Sequence, residues 1–228
     1  MIVNALILFG SCARGDQTKD SDVDMLAIHD EGIYRVKEYE KLYFSFYPEQ
    51  TLRRMMLNGE LFALHLATES KIIFENAEKA SDLFKLFQFK SSYAPVIDEA
   101  KILAWAIIKF YSKINEPLLC NKRLVWCVRT ICAANAASER RNCFAASEII
   151  KSVPIDDMDW VLAQKNNVEH SPRLIAKMVE FLHYYALEQP ESVRQSEFVD
   201  GCLPLFDVGS MGYRFFQSLK KPRNLGYL

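Results

Sequence analysis

The residues best suited to chemistry lie between Gly10 and Asp24. An apolar run leads into a Gly10-Ser11 turn, and after a polar loop the chain presents two carboxylates, Asp22 and Asp24. Glycine lets a phosphate approach the backbone N–H groups, and the serine hydroxyl adds a further donor. Carboxylates two residues apart on a strand project from one face, with their α-carbons about 6–7 Å apart. These residues predict a site for a hard cation such as Mg²⁺ beside substrate phosphates.

Basic residues are candidates for further contacts with the same phosphates. Arg14 follows the Gly-Ser turn closely enough to place its guanidinium there. Lys122, Trp126 and Arg129 share one face of a predicted helix, from which they would reach the phosphates or an acceptor. A solvated basic face explains the same spacing, and both interpretations stay open.

The first part of the chain predicts the elements that position this site. Short apolar runs closed by glycine or proline are typical of strands, and longer periodic stretches are typical of helices. Strands are predicted over Ile2–Phe9, Val23–Ile28, Lys41–Tyr47 and Lys71–Phe74, and helices over Pro48–Leu57 and Glu60–Thr68. In the third strand, alternation predicts that one apolar face points inward, made of Leu42, Phe44 and Phe46. The other face, made of Tyr43, Ser45 and Tyr47, is left for the site or solvent.

The remainder of the chain predicts helices with apolar stripes at three- and four-residue spacing. They are expected over Tyr93–Ile114, Leu118–Ala137, Phe144–Lys151, Asp157–Asn166 and Pro172–Leu187. The fold class is therefore α+β. We predict a small mixed β-sheet domain over residues 1–90 and an all-α helical bundle domain over residues 91–228, with an irregular tail from residue 190.

Charge and composition limit the classes of function. The 228 residues carry 28 Lys+Arg and 29 Asp+Glu, which argues against a large nucleic-acid surface. Residues 1–90 hold 11 basic and 14 acidic residues, and residues 91–228 hold 17 and 15. The metal site thus falls in the acidic part, and the mildly basic part suits phosphates or an acidic acceptor.

The cysteines and the apolar runs indicate the cellular compartment of the protein. Six cysteines occur without a C-x-x-C motif, and those in helical, apolar sequence are interpreted as reduced and buried. No apolar run approaches the roughly 18 residues that a membrane span needs. The N-terminal run lacks the basic start of a signal peptide. We predict a cytoplasmic protein.

The segment from Gly10 to Asp24 resembles the signature of the DNA polymerase β-type nucleotidyltransferase superfamily. That signature is Gly-Ser, about ten residues, and Asp-x-Asp; here ten residues separate Ser11 from Asp22. The flanking Ala-Arg-Gly and the Ser21-Asp22 pair are similar to minimal nucleotidyltransferases, which adds Ser21 to the nucleotide-binding candidates Gly10, Ser11 and Arg14. The resemblance covers about the first 80 residues.

The resemblance implies transfer of a nucleoside monophosphate from an NTP to an acceptor, with Mg²⁺ or Mn²⁺ held by the catalytic carboxylates Asp22 and Asp24. It leaves the acceptor open among a small molecule, a protein hydroxyl and an RNA end, of which RNA is not favoured by the net charge. Antibiotic-modifying and antitoxin or antiviral-defence members exist in the superfamily. No membrane partner is expected, and homo-oligomerisation stays open.

One position departs from the family pattern. Active members carry a third carboxylate on the strand after Asp-x-Asp, where this chain has Tyr43 or Ser45. Strict alternation places Glu38 and Glu40 on the face of Leu42, away from the site. Tyr43 and Ser45 are therefore candidates for acceptor or phosphate contacts. The departure motivates a second hypothesis, a catalytically degenerate protein that binds NTP or acts as an interaction or regulatory subunit.

Overall fold

The computed structural model describes residues 2–19, 21–30 and 32–220. Within that part the chain forms two compact units. The first comprises the residues up to Tyr93 together with Asn135–Glu148, and the second comprises Ala94–Ala134 and the residues from Ile149 onward. The strands all lie in the first unit and the second unit is helical, so the α+β prediction is confirmed.

A mixed five-stranded sheet forms the centre of the first unit. Its strands follow the spatial order β3-β4-β2-β1-β5. Strand β2 pairs with β4 in parallel, and the other neighbouring pairs are antiparallel. The strands are β1 (Val3–Phe9), β2 (Val23–His29), β3 (Arg35–Tyr39), β4 (Leu42–Pro48) and β5 (Lys71–Glu75). Four of them were predicted, and β3 was not.

One face of this sheet is covered by helices that follow it in sequence. The helices of the residues up to Tyr93 are α1 (Ser11–Arg14), α2 (Glu49–Leu57), α3 (Leu61–Glu69) and α4 (Lys79–Lys85). Buried apolar side chains of β1, β2, α2, α3 and α4 form the core: Ala5, Ile7, Leu26, Ile28, Leu52, Met56, Ala63, Leu66, Ala80 and Leu83. Helices α2 and α3 confirm the two predicted ones. Burial of this apolar set holds β1 and β2, the strands that carry the candidate site, in a fixed register.

Strand β4 presents the opposite face to the one predicted. Tyr47 packs against the core, and alternation places Tyr43 and Ser45 on that same face. The sheet register explains the orientation, because these residues pair with the inward row of β2 that begins at Asp24. The apolar set expected to face inward lies half-exposed on the other face of the sheet: Leu42, Phe44 and Phe46.

Helices make up the rest of the described chain. They are α5 (Ala94–Phe110), α6 (Pro117–Ser138), α7 (Ala146–Ser152), α8 (Met158–Ala163), α9 (Pro172–Tyr184), α10 (Glu191–Gln195) and α11 (Met211–Lys220). The tail expected to be irregular from residue 190 contains α10 and α11, and its last residues, 221–228, lie outside the described part. In the described chain, no helix combines the length and apolar character that crossing a bilayer requires.

Side chains inside the second unit serve its fold. Lys109 donates to the carbonyls of Val193, Arg194 and Ser196 at 2.7–2.9 Å, which ties α5 to the end of α10. The six cysteines of the chain are free, in agreement with the sequence interpretation. Burial raises the pKa of the Cys120 thiol to about 12, so that thiol stays protonated at neutral pH.

Candidate active site

The Gly-Ser turn is built by backbone geometry that needs glycine at two positions. Gly10 ends β1 with φ 72°, and its carbonyl accepts hydrogen bonds from the N–H groups of Ala13 and Arg14 at 3.2 Å. Gly15 closes the single helical turn at φ 81° and donates to the Ser11 carbonyl at 2.9 Å. Both φ values lie in the left-handed region, where a side chain is strained.

The Asp24 carboxylate lies directly against this turn. Phe9 is the cross-strand partner of Asp24, so Gly10 follows immediately beside it. A Cβ atom on Gly10 would stand only 2.7 Å from Asp24 Oδ2. The missing side chain at residue 10 therefore leaves the space that the carboxylate occupies, and the two parts of the motif are adjacent as predicted.

Asp22 lies one residue before β2 rather than within it. The Cys12 thiol donates to the Asp22 carbonyl at 3.5 Å, which links α1 to this end of the strand. Asp22 and Asp24 are close enough to Tyr43 for their negative charges to contribute to raising its pKa.

This donor set fits a divalent cation held together with substrate. Among the described residues, no group of three or more His, Cys, Asp or Glu side chains is arranged to hold a metal ion. The Asp24 carboxylate lies beside the Gly-Ser turn, and Asp22 stands two residues earlier, just before β2. Mg²⁺ is commonly bound by one or two carboxylates plus substrate phosphates, which is the chemistry offered here.

Tyr43, one of the two residues that the resemblance places at the position of a third carboxylate, lies beside Asp24. It is the register partner of Asp24 in the parallel β2–β4 pair. Its hydroxyl donates to Glu38 Oε1 at 2.7 Å. That hydrogen bond is the main reason that the pKa of Tyr43 rises to about 12, with smaller contributions from desolvation and the neighbouring charges.

The placement of Glu38 corrects the alternation argument. Strict alternation treated residues 38 to 47 as one strand and put Glu38 on the face of Leu42. The chain instead forms a hairpin with a two-residue turn, Glu40-Lys41, in which Glu40 has φ 53°. Directly paired residues share a face, and Glu38 pairs with Tyr43. Glu38 therefore lies on the face of the aspartates.

We name Asp22, Asp24, Glu38 and Tyr43 the strand-end cluster. Sequence reasoning missed Glu38 because strand β3 was missed. Its turn lacks the Gly, Asn or Asp that usually marks a two-residue hairpin. The alternation of Val36 and Glu38 with Arg35, Lys37 and Tyr39 was the available signal, but all of these side chains are exposed.

Arg14 belongs to a second cluster, which we name the buried cluster: Arg14, His65, Glu69 and Asn142. Arg14 Nη1 donates to Glu69 Oε2 at 3.0 Å and lies 3.3 Å from His65 Nε2. Asn142 donates to Glu69 Oε1 at 2.9 Å, and the His65 ring stacks on Phe144 at 4.7 Å. These groups join α1, α3 and the segment Asn135–Glu148 of the first unit.

Glu69 is the most enclosed member of the buried cluster. Its side chain is 7% exposed, against 16% for Arg14. Burial raises the pKa of Glu69, and the hydrogen bond and charge of Arg14 oppose that rise. Arg14 would contact a phosphate only by sharing or exchanging this carboxylate, so its role as a phosphate ligand stays a prediction.

The other predicted site residues are more scattered. The Ser21 hydroxyl accepts from the Thr18 N–H at 2.9 Å and closes the loop before Asp22. Ser45 lies on the site face but pairs with Leu26, farther into the core. Lys122 and Arg129 belong to the second unit. Nucleotide or acceptor contacts by these residues stay predictions.

Comparison with known proteins identifies a family and solved structures that are similar to this chain. The model of the Nucleotidyltransferase domain family matches residues 3–116, half of the chain. A crystal structure of a nucleotidyltransferase-like protein from Exiguobacterium sibiricum 255-15 is similar over 90% of this chain and 72% of that one, with 19% identity and a TM-score of 0.33. No curated protein sequence matches the chain.

Proposed function

We propose that this chain, which belongs to the nucleotidyltransferase domain family, transfers a nucleoside monophosphate from an NTP to an acceptor hydroxyl. Its membership confirms the resemblance to the polymerase β-type superfamily. The observation that carries the proposal is the Asp24 carboxylate fitted against Gly10, with Asp22 two residues before it in the chain. The adjacency of the Gly-Ser turn and the Asp24 carboxylate supports a site for phosphate and a cation there.

In the proposed reaction, each residue of the motif has a separate role. The N–H groups at Gly10-Ser11 and the Ser11 hydroxyl bind phosphate oxygens and orient the α-phosphate. Asp22 and Asp24 would hold Mg²⁺ or Mn²⁺ together with the triphosphate. When bound, the cation supplies positive charge that stabilises the transferring phosphoryl group and the departing pyrophosphate.

The second substrate of the proposed reaction is the acceptor. We propose that the helical part of the chain binds the acceptor and covers the site as a lid, with Lys122 and Arg129 as candidate contacts. Its mildly basic composition suits an acidic small molecule or a protein surface, which keeps antibiotic-modifying and antitoxin or defence roles open. The six free thiols support a cytoplasmic setting.

Label transfer tests the proposal directly. The full chain is incubated with Mg²⁺ or Mn²⁺, each α-labelled NTP in turn, and a cell lysate as a source of acceptors. We expect the label to enter an acceptor, and we expect Asp22→Ala and Asp24→Ala to abolish that transfer. Absence of transfer with every NTP would contradict the proposal.

A second function is favoured by one specific observation. The resemblance places a third carboxylate at Tyr43 or Ser45, and the first of these is hydrogen-bonded to Glu38 beside Asp24. A protein that had lost transfer could still bind Mg-NTP through the Gly-Ser turn and the aspartates and act as a regulatory or interaction subunit. Calorimetric binding of Mg-NTP without any label transfer would support this function over the first.

A further inference from the structure

The hydrogen bond between Tyr43 and Glu38 has the form of an activated nucleophile. The phenol oxygen donates to a carboxylate oxygen at 2.7 Å, within the range for a nucleophile and its general base. Neither group belongs to the phosphate-binding turn or to the pair of aspartates. Their chemistry is therefore not used by the proposed binding of Mg-NTP.

The sheet brings this pair to the place where the α-phosphate is proposed to bind. Asp24 and Tyr43 are register partners on parallel strands, so their backbones are about 5 Å apart and their side chains project from the same face. Glu38 joins that face from the third strand in the row.

We propose that Tyr43 is itself an acceptor, so that the protein attaches a nucleoside monophosphate to its own Tyr43 hydroxyl. This inference rests on the proposed function, because it uses the same NTP site. It names a hydroxyl within the chain as one substrate of the reaction. It also gives a chemical role to a tyrosine that pairs with Asp24.

The step balances without any further reactant. Tyr43 Oη forms a bond to the α-phosphorus as the bond from that phosphorus to the bridging oxygen of the β-phosphate breaks. The bonding electrons leave with pyrophosphate, and the phenol proton passes to the Glu38 carboxylate. The product is a phosphodiester between tyrosine and the nucleoside.

Tyr39 on the same hairpin provides a matched control. It is 58% exposed, so non-specific labelling of accessible tyrosines would modify it readily. It pairs with Leu42 and therefore lies on the face opposite to the aspartates. Modification of Tyr43 but not of Tyr39 would distinguish use of the site from general reactivity.

The experiment is incubation of the purified full chain with Mg²⁺ and each NTP, without another acceptor, followed by intact-mass measurement and peptide mapping. We expect a mass increase of one nucleoside monophosphate per chain, located on Tyr43. Tyr43→Phe should lose it, and Tyr39→Phe should retain it. Glu38→Gln, which keeps a hydrogen-bond acceptor, should slow its appearance about 100-fold.

Parallel reactions with lysate acceptors separate this inference from the proposed function. Label on lysate acceptors but none on Tyr43 would overturn self-modification and leave the proposed function standing. No label on either would overturn both. Circular dichroism of Tyr43→Phe and Glu38→Gln checks their folding. Self-labelling that persists at another residue of Tyr43→Phe at the wild-type rate would also overturn the assignment.

Discussion

The two polar clusters of the first unit both contain carboxylates but differ in how those carboxylates are used. In the buried cluster, Glu69 is 7% exposed and both of its oxygens accept hydrogen bonds, from Arg14 and from Asn142. In the strand-end cluster, Asp22, Asp24 and Tyr43 are half-buried at neighbouring strand ends, and the exposed Glu38 accepts a hydrogen bond from Tyr43.

This difference in hydrogen bonding and exposure predicts that one cluster contributes to stability and the other to activity. A carboxylate whose oxygens are already bonded inside the protein stabilises the fold and is poorly available to a ligand. A carboxylate that stays partly exposed to solvent contributes less to folding and can bind a cation or accept a proton. We therefore expect substitutions in the strand-end cluster to change activity and those in the buried cluster to change stability.

The largest effect is expected when the carboxylates of the strand-end cluster are removed. Asp22→Ala or Asp24→Ala should lower nucleotide transfer by about 1,000-fold or more, because the charge that holds the metal-bound triphosphate is lost. The free energy of unfolding should change by less than ~1 kcal/mol, as measured by urea denaturation. A large loss of stability with transfer preserved would contradict the expectation that the strand-end cluster serves activity rather than stability.

Two glycines that flank α1 offer a matched pair. Gly10→Ala and Gly15→Ala both place a side chain at positive φ, which should cost about 1–2 kcal/mol of stability in each case. Only at Gly10 would the new Cβ collide with Asp24, since nothing lies within 4 Å of the Cβ position at Gly15. Calorimetry should show at least ~10-fold weaker Mg-NTP binding for Gly10→Ala alone. Equal binding by both variants would contradict the tight fit of Asp24.

Removing the Glu69 side chain should lower the stability of the fold, in contrast to removal of Asp22 or Asp24. Glu69→Ala leaves the Arg14 guanidinium without its enclosed partner, so the free energy of unfolding should fall by about 2–3 kcal/mol. Asp16→Ala is the control, because Asp16 also pairs with Arg14 but is 36% exposed, and it should cost less than ~1 kcal/mol. Equal losses of unfolding free energy for the two variants would show that burial of the carboxylate does not determine how much its ion pair with Arg14 stabilises the fold.

The smallest expected effect is a shift in the pKa of the Tyr43 hydroxyl. The pKa of Tyr43 is raised from 10.0 to about 12, mainly by its hydrogen bond to Glu38. Glu38→Gln removes a negative charge that disfavours the phenolate, so the pKa of Tyr43 should move down toward 10.0. Titration of ¹³C-labelled tyrosine by NMR, with Tyr43→Phe to assign the signal, measures it. An unchanged pKa would show that the hydrogen bond is not formed in solution.

Sequence reasoning found the parts of the site that are local in the chain. The Gly-Ser turn and the Asp-x-Asp pair lie on consecutive strands, and strand alternation is enough to bring them together. The buried cluster was beyond its reach because Arg14, Glu69 and Asn142 are far apart in the chain and only tertiary packing joins them. The orientation of β4 was missed because its more apolar set was assumed to face inward, whereas its pairing with β2 decides the matter.

The length of the turn at Glu40-Lys41 has a consequence for how this chain tolerates insertions and deletions. Because side chains alternate along a strand, a one-residue insertion or deletion that leaves a two-residue turn would move every side chain of β3 to the opposite face. Glu38 would then leave Tyr43, and Lys37 or Tyr39 would take its place. A single codon gained or lost in an exposed hairpin could thus remove or restore the proton acceptor without altering any residue of the motif.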